Sequence, residues 1–358
     1  MKKYSVVLIG CGYIGKSHIE DIYTRENIRV VGVVDVDIER AKQFAKLYNI
    51  ESYGTDYMPY LERDDVDIVI IGTYTDTHLP IMKDCVEHGK HVLCEKPIAN
   101  TVEKVEEFRK IATSGKAQVL IDLILRRNES YRTIKKMIDD GAIGSPIVFR
   151  IAQNHHTIGP NWERHKHLLE DCPPIVDCGI HYMDVMEWFS GSTIKSLRGI
   201  KSRLNDDIPA GKTNYNIVTA KLEDGSSGYY EVMWSPSATQ ESIKEFVGPK
   251  GHIKLIYADA RTESDSKYDL IEYYNYETNE YQHIDLASKY KPTYEQIKRL
   301  IDAIENGNST NAEVESACRI NKMLLEAYDD GTDDFISFDR DLRKYYSKKP
   351  VHQAFLYT

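Results

Sequence analysis

The sequence predicts an α/β fold in which an N-terminal doubly wound parallel sheet precedes an α+β half, built on a large, mostly antiparallel, open sheet. Up to Asp122, short β-branched runs alternate with helical stretches, whereas later residues form strands in succession between turn signals. The length of 358 residues predicts two domains at about 100–200 residues each. The change of pattern places these domains at 1–123 and 124–358.

Buried parallel strands account for the first half. Continuous apolar runs are typical of strands that helices cover on both faces of a sheet. Helical segments separate most of these runs, as the crossovers of a parallel sheet require. The predicted strands are Tyr4–Ile9, Arg29–Asp35, Ile68–Gly72, His91–Glu95 and Gln118–Asp122.

The second half begins with a helix at Ser130–Asp140, which Gly141 ends. Turn signals such as Glu223-Asp224-Gly225 and Gly248-Pro249-Lys250-Gly251 then separate strands of a largely antiparallel sheet. Two late helices, Tyr294–Glu305 and Val314–Asp329, follow this sheet. The predicted strands are Ile147–Gln153, Ile194–Lys201, Asn214–Leu222, Gly228–Trp234, Ile253–Tyr257, Tyr268–Tyr276 and Glu280–Asp285.

Composition excludes several classes of function. The 46 Lys and Arg against 56 Asp and Glu give a net charge of −10, which offers no attraction to nucleic acid. No apolar run approaches the roughly 20 residues that span a bilayer, so we expect no membrane association. The apolar run Val6–Ile9 leads into glycines rather than a cleavage site, and six cysteines are too sparse for a disulfide framework. We therefore expect a cytoplasmic protein.

A glycine-rich turn follows the first predicted strand. In Gly10-Cys11-Gly12-Tyr13-Ile14-Gly15, the first glycine permits a tight turn, the second lets a pyrophosphate approach the backbone, and the third allows close packing of helix on strand. The N–H groups of the following helix can bind phosphate oxygens. Asp35 ends the next strand 20 residues after Gly15, where a carboxylate can bind a ribose 2′-hydroxyl. This combination predicts a dinucleotide site.

The charge of Asp35 favours NAD over NADP, because a carboxylate repels a 2′-phosphate. Arg40 lies about one helical turn further on and can swing toward such a phosphate. NAD is therefore the expected cofactor, and use of NADP remains open.

Three further segments accompany the glycine turn: Ile71-Gly72-Thr73-Tyr74-Thr75-Asp76-Thr77-His78, Glu95-Lys96-Pro97 and Asp177-Cys178-Gly179-Ile180-His181. Together they resemble the glucose–fructose oxidoreductase/inositol dehydrogenase/MocA (Gfo/Idh/MocA) family over essentially the whole chain. The resemblance implies an NAD(P)-dependent sugar or polyol oxidoreductase, with a Rossmann domain followed by a sheet that commonly forms the oligomer interface. It also places Thr73, His78, Glu95 and Lys96 near the cofactor, although a place in the first turn of a helix opened by Thr75 or Asp76 explains His78 equally well.

The same resemblance assigns catalytic roles to Lys96, Asp177 and His181. Lys96 follows the carboxyl end of a parallel strand, where an ammonium can polarise a substrate oxygen. Asp177 and His181 are four residues apart and share a face if both are helical, so the carboxylate can orient the imidazole and favour its protonated form. The imidazole would then exchange the hydroxyl proton. Taken alone, a helix-capping aspartate and a core histidine explain this pair equally well.

The chain departs from the family pattern at two places. Thr73-Tyr74-Thr75 stands where the family usually has Thr-Pro-Asn, so the contact to the nicotinamide side can differ. Cys172-Pro173-Pro174 stands where a glycine triplet often precedes the Asp-x-Gly-x-His signature. The shape of the loop beside the substrate is therefore expected to differ as well.

A polar segment that precedes the Asp-x-Gly-x-His signature predicts a long loop at the cleft. Its imidazoles can bind sugar hydroxyls and its indole can stack on a sugar ring, although an ordinary polar surface loop is equally consistent. No ligand spacing of a known metal site occurs in it, so no metal is expected. Arg126 presents the same choice between a substrate contact and a solvated hinge. The candidate residues of the loop are Asn154, His155, His156, Trp162 and His165.

The leading hypothesis is an NAD-dependent sugar or polyol dehydrogenase acting on a CH–OH group of a small molecule. The alternatives are an enzyme that retains NAD and processes glycosides by transient oxidation, and a non-catalytic NAD- and sugar-binding regulator. Tyrosines on the predicted second sheet favour a homodimer or homotetramer, because tyrosine rows are enriched in interfaces. These tyrosines are Tyr229, Tyr230, Tyr273, Tyr274 and Tyr276.

Overall fold

Two sheets organise the part of the chain that the computed structural model describes, which is residues 2–261, 267–289 and 291–331. The first sheet has six parallel strands and the second has eight mostly antiparallel strands. The predicted fold class is confirmed. The stretch 332–358, which the predicted second domain includes, lies outside the described residues.

The first sheet has the strand order β3-β2-β1-β4-β5-β6. The strands after β1 are first added on one side of it, as β2 and β3, and then on its other side, from β4 onward. The carboxyl ends of β1 and β4 therefore flank the crevice where doubly wound sheets bind ligands. Short β3 and α3 carry too few residues for a periodic pattern and were not predicted. The strands are β1 (Tyr4–Ile9), β2 (Ile28–Val34), β3 (Tyr53–Gly54), β4 (Ile68–Ile71), β5 (His91–Cys94) and β6 (Val119–Ile121), and the helices are α1 (Tyr13–Ile22), α2 (Ile38–Tyr48), α3 (Met58–Leu61), α4 (Thr75–Glu87) and α5 (Val102–Ala112).

The second sheet has the order β14-β13-β12-β11-β7-β10-β9-β8, and β7 and β10 are its one parallel pair in the described chain. Helices cover one face. The strands are β7 (Val148–His156), β8 (Ile194–Ser202), β9 (Tyr215–Leu222), β10 (Ser227–Ser235), β11 (Glu241–Gly248), β12 (Gly251–Ile256), β13 (Asp269–Asn275) and β14 (Glu280–Leu286), and the helices are α6 (Glu129–Asp139), α7 (Pro160–Asp171), α8 (Pro174–Asp177), α9 (Gly179–Ser190), α10 (Thr293–Asn306) and α11 (Asn311–Asp329).

Strand β11 was missed from the sequence. Its inward positions are Ser242, Lys244 and Phe246, which pair with the inward positions of β7. Because two of these three side chains are polar, the strand lacks the apolar alternation that a half-buried strand normally shows.

The predicted long loop after residue 153 is wrong. Strand β7 continues to His156, and α7 then occupies Pro160–Asp171 with only Trp162 and Leu169 fully buried. A helix with so narrow an apolar stripe gives a weak periodic signal. Its last residue, Asp171, accepts hydrogen bonds from the backbone N–H groups of Thr75 (2.7 Å) and Asp76 (3.1 Å), so α7 caps α4 of the first sheet.

The last two helices return to the first sheet. Helix α10 buries Ile297, Leu300 and Ile301 in the same apolar cluster as Tyr4 of β1, and α11 packs on α5 and β6. Helices from beyond residue 123 thus pack on the first sheet, and the division of the chain into two domains at this residue remains a proposal. None of the helices within the described ranges is both long and apolar enough to cross a bilayer.

The interface hypothesis assumed that the tyrosines of the second sheet share one face. The structure divides them between the two faces. Tyr230 and Tyr273 are buried on the helix-covered face, since side chains alternate along a strand. Tyr229 and Tyr274 are half-buried, and Tyr276 is exposed one residue beyond β13. The open face is therefore less tyrosine-rich than predicted.

Candidate active site

The glycine turn has the geometry of a dinucleotide site. Gly10 has φ +101°, and a Cβ there would lie 2.4 Å from the carbonyl oxygen of Gly72. A Cβ on Gly15 would lie 2.0 Å from the carbonyl oxygen of Gly10, so helix α1 packs directly on the turn. By contrast, a Cβ on Gly12 would meet nothing within 4 Å, and Gly12 is the N-cap residue of α1, which has no side-chain cap. Open space beside a helix N-terminus fits a diphosphate.

Asp35 lies directly after β2 and is tied to the glycine turn. Its carboxylate accepts hydrogen bonds from the backbone N–H groups of Cys11 (2.8 Å) and Asp37 (2.9 Å). Arg40 also donates to it, at 3.0 Å. These partners leave acceptor capacity on the carboxylate for a ribose hydroxyl, because each carboxylate oxygen accepts two hydrogen bonds. They also place a guanidinium beside the ribose position.

Lys96 and Asp177 form an ion pair at the carboxyl end of β5. The Lys96 ammonium donates to the carboxylate Oδ1 and to the backbone carbonyl of Asp177, both at 3.0 Å. Although burial disfavours the charged form, Asp177, Cys178 and Glu95 raise the pKa of Lys96 above its ordinary value. Lys96 therefore remains a cation in the cleft between the two sheets.

His181 lies beside this pair and carries a buried ring nitrogen, Nδ1, that has no hydrogen-bond partner in the described structure. Burial and the nearby Lys96 charge lower the pKa of His181 to about 3. The imidazole is therefore neutral in this state and can accept a proton. Asp177 does raise the pKa of His181, as expected, but burial and Lys96 outweigh this effect.

Asp177 has partners other than the predicted one. It closes α8, whereas His181 lies in the first turn of α9, so a helix break at Cys178 separates them. The carboxylate binds Lys96 and accepts a hydrogen bond from the Cys178 thiol at 3.3 Å. No hydrogen bond joins Asp177 to His181 among the described residues. Asp177 therefore positions Lys96 rather than the imidazole.

A buried cluster of ionisable groups lies behind Lys96. His18 of α1 hydrogen-bonds Glu95 at 2.8 Å and lies 3.5 Å from Asp122. Burial and the neighbouring Glu95 raise the pKa of Asp122 far above its ordinary value, while His18 lowers that of Glu95. The ligand atoms of the three residues lie within 4.8 Å of one another, a spacing that can also hold a metal ion. The His18–Glu95 hydrogen bond leaves Nδ1 of His18 and both carboxylate oxygens of Asp122 buried without hydrogen-bond partners among the described residues.

Family models match both halves of the chain. Residues 4–123 match the model described as an oxidoreductase family with an NAD-binding Rossmann fold, and residues 131–254 match the GFO/IDH/MocA C-terminal domain. The chain belongs to the Gfo/Idh/MocA family. The predicted family is confirmed, and the N-terminal half is an NAD-binding Rossmann domain of an oxidoreductase.

Individual relatives agree with this membership. Inositol 2-dehydrogenase of Burkholderia cenocepacia (strain HI2424) is 29% identical over 252 residues, which cover 69% of this chain and 72% of that protein. The aldose-aldose oxidoreductase of Caulobacter crescentus, solved with glycerol, has a TM-score of 0.77 at 19% identity and covers 92% of this chain and 99% of its own. An oxidoreductase from Agrobacterium radiobacter, solved with NAD⁺, L-tartaric acid and magnesium, has a TM-score of 0.77 at 17% identity, covering 93% and 97%.

In this Gfo/Idh/MocA chain, His78 joins two loops at the site. Its Nδ1 lies 2.9 Å from the carbonyl oxygen of Pro97, and its Nε2 lies 3.2 Å from that of Thr73. Thr73 also accepts a hydrogen bond from the Thr77 hydroxyl at 2.7 Å. Both ring nitrogens face carbonyl oxygens of the protein itself, so His78 links the two loops that follow β4 and β5.

The structure brings together His155, His165 and Trp234, the last of which the sequence analysis missed. The ring centroids of His165 and Trp234 are 4.9 Å apart, and those of His155 and His165 are 6.2 Å apart. Burial, with the charges of His165 and Lys244, lowers the pKa of His155 to about 4. Trp234 is only 2% exposed and its strand has the pattern of ordinary core, so its contact with His165 could not be predicted from the sequence.

Three residues predicted to contact substrate have other partners or face away, and their substrate contacts stay predictions. Arg126 makes two hydrogen bonds of 2.8 Å to the buried Asp184, so its guanidinium is committed to α9. The indole N–H of Trp162 donates to Asp207 at 2.8 Å and its ring is buried. His156 is exposed, and strand alternation points it to the sheet face opposite His155.

Proposed function

We propose that this chain is an NAD-dependent dehydrogenase acting on a CH–OH group of a sugar, polyol or glycoside. The observation that carries the proposal is the Lys96–Asp177 ion pair at 3.0 Å, with the unpartnered Nδ1 of His181 nearby and the glycine turn at the carboxyl end of β1, two strands away in the same sheet. The relationship to inositol 2-dehydrogenases supports a polyhydroxylated substrate.

In this proposal, each side chain has a separate role. The Lys96 ammonium donates a hydrogen bond to the reacting oxygen and stabilises negative charge that develops there. The neutral His181 accepts the hydroxyl proton as the C–H bond breaks. The negative charge that develops on the reacting oxygen raises the proton affinity of the nearby imidazole. Bound NAD⁺ supplies the hydride acceptor. Asp177 holds Lys96 in position, and the proton returns from His181 when the ketone is reduced.

We also propose that NAD is preferred over NADP. The buried Asp35 carboxylate offers an acceptor to a ribose 2′-hydroxyl and repels a 2′-phosphate. Arg40 already pairs with Asp35, which reduces its availability for a phosphate.

A substrate panel tests the function. Inositols, hexoses and glycosides are incubated with NAD or NADP, and reduced nicotinamide is measured by its absorbance. We expect at least one polyol or sugar to yield stoichiometric NADH, and the Lys96→Met variant to lose this activity while still binding NAD. Turnover of a glycoside without accumulation of NADH would instead indicate an enzyme that retains its cofactor, and would contradict the dehydrogenase proposal.

A further inference from the structure

Two cations from the second half of the chain converge on the glycine turn. The Cζ atom of Arg164 lies 5.4 Å from the ring centroid of Tyr13, and the Nζ atom of Lys291 lies 4.3 Å from it. Tyr13 immediately follows Gly12 as the first residue of α1, and its side chain is 65% exposed. Arg164 belongs to α7, and Lys291 lies two residues before the start of α10. Both therefore reach the cofactor site from outside the Rossmann strands.

Neither cation has an anionic partner among the described residues. In residues 2–261, 267–289 and 291–331, no carboxylate forms an ion pair with Arg164 or Lys291, although Lys166 on the same helix pairs with Glu163 at 2.8 Å and Asp207 at 3.4 Å. Lys291 is half-buried, and burial, Lys96 and Arg164 lower its pKa despite the opposing charges of Glu95 and Asp122. Positive charges crowded in a partly dry cleft are unfavourable unless an anion joins them.

We propose that Arg164 and Lys291 form a cation pair that binds the diphosphate of the dinucleotide from the side opposite the glycine turn. The inference rests on the proposed use of NAD, and it adds two residues of the second half to the cofactor site. A diphosphate at the N-terminus of α1 lies next to Tyr13, where both cations converge. A guanidinium can donate two parallel hydrogen bonds to phosphate oxygens, and an ammonium adds a point charge.

The position of the pair favours the cofactor over an anionic substrate. The reacting groups Lys96 and His181 follow β5 and begin α9, whereas Tyr13 begins the helix after β1. A substrate carboxylate bound at Tyr13 would therefore lie at the diphosphate position itself. The pair closes the crevice at that point, so the second half of the chain contributes to retention of the cofactor.

Calorimetric titration of the full chain tests the proposal with NAD, ADP-ribose and adenosine as probes. We expect Arg164→Met and Lys291→Met together to weaken binding of NAD and ADP-ribose by about 10-fold to 100-fold, as for the loss of charged hydrogen bonds. Affinity for adenosine, which lacks the diphosphate, should change less than about twofold. The double variant should also show a shallower dependence of ADP-ribose affinity on salt concentration.

Lys166→Met is the matched control, because it removes a cation of the same helix that already has carboxylate partners. We expect this control to bind all three probes like the parent. The proposal would be overturned if the double variant bound ADP-ribose within twofold of the parent, or if it lost as much affinity for adenosine. It would also be overturned if the only change were in the KM of an acidic sugar. If the parent itself bound neither NAD nor ADP-ribose, the proposed function would fail instead. Circular dichroism of each variant confirms that it is folded.

Discussion

A neutral imidazole and a cationic lysine side by side give the site its division of labour. Lys96 keeps its proton because Asp177 faces it at 3.0 Å, whereas His181 lacks any carboxylate partner in the described structure and loses its proton through burial. The lysine therefore supplies charge and the histidine supplies proton affinity. The two roles would be exchanged only if the Asp177 carboxylate faced His181 instead of Lys96.

His181→Ala is expected to lower kcat by about 10²-fold to 10⁴-fold, because general acid–base catalysis contributes on that scale. Affinity for NAD should stay nearly unchanged, since the imidazole is proposed to act on substrate. Steady-state kinetics and NAD titration measure the two effects. His167→Ala serves as the control, because His167 is an exposed histidine of α7. A kcat within about threefold of the parent would return His181 to a structural role.

Asp35→Asn is expected to weaken NAD binding and strengthen NADP binding, because it keeps an oxygen for the Cys11 N–H but removes the charge that repels a 2′-phosphate. It also frees Arg40 from its ion pair. Fluorescence titration with both cofactors measures the ratio of affinities. Asp37→Asn, at an exposed position that caps α2, is the control. Equal losses for the two cofactors would remove Asp35 from the ribose site.

Lys244 makes stability depend on pH. Its side chain is fully buried beside the rings of Tyr182 and Tyr257, and burial lowers its pKa from 10.5 to about 7. Between these values the unfolded chain binds a proton that the folded chain does not, so the free energy of unfolding falls as the pH falls from about 10.5 to about 7. Below about pH 7 both the folded and the unfolded chain bind this proton, so Lys244 lowers the free energy of unfolding no further.

Lys244→Met should therefore stabilise the protein more at pH 7 than near pH 10, by up to a few kcal/mol. Urea unfolding at several pH values measures the difference between variant and parent. Lys254→Met, on the neighbouring strand with its side chain 46% exposed, is the control and should show no such trend. A stability difference that is independent of pH would mean that Lys244 does not titrate in this window.

At the scale of elements, α11 holds the loop that carries Lys96. The side chain of Asn321, fully buried in α11, accepts a hydrogen bond from the Ile98 N–H at 2.8 Å and donates to the carbonyl oxygen of Ala99 at 3.0 Å. The residues that follow Lys96 are thus fixed by a helix more than two hundred positions away in the sequence.

Asn321→Ala should destabilise the protein by about 2–4 kcal/mol, because it leaves two buried backbone groups without partners. It should also lower kcat more than it changes NAD affinity, since the loop orients Lys96. Urea unfolding and steady-state kinetics measure both effects. Lys322→Ala, which removes a surface ion pair to Glu106 at 3.2 Å, should cost less than about 1 kcal/mol. Unchanged kcat in Asn321→Ala would separate α11 from the positioning of Lys96.

The elements that the sequence predicted well are those with a strong local signal. The glycine turn and the continuous apolar strands located the first sheet, because both patterns depend only on neighbouring residues. Strand β11 and helix α7 were missed because inward polar residues such as Lys244 weaken the apolar period. The partners of Asp177, Arg126 and Trp162 could not be predicted, because each lies on an element distant in sequence and its contact depends on tertiary packing.

At the scale of the whole molecule, we propose assembly through the open face of the second sheet. Tyr274 and Tyr281 lie there with ring centroids 4.7 Å apart, and His252 lies 5.4 Å from Tyr274. Aromatic clusters that remain accessible on a sheet are typical of protein interfaces. This set replaces Tyr230 and Tyr273, which are buried within the chain's own core.

Light scattering after size exclusion should therefore give a mass of two or four times the 41.2 kDa chain. Replacing both Tyr274 and Tyr281 by Glu should shift this mass to that of one chain, because paired carboxylates cannot be buried in an apolar contact. Tyr53→Glu, at an exposed tyrosine of the first sheet, is the control. A parent mass near 41.2 kDa at micromolar concentration would contradict the assembly.

The return of α10 to the first sheet determines when that sheet can finish folding. Tyr4 and Ile19 share their apolar cluster with Ile297 and Leu300, so the part of this face that α1 and α2 leave open stays uncovered until α10 has been synthesised. Domains usually fold in order as they are synthesised, but this one waits for residues from the far end of the chain. During translation the nascent first sheet is thus a natural client for chaperones, and a fragment that stops at residue 123 would expose the same surface permanently.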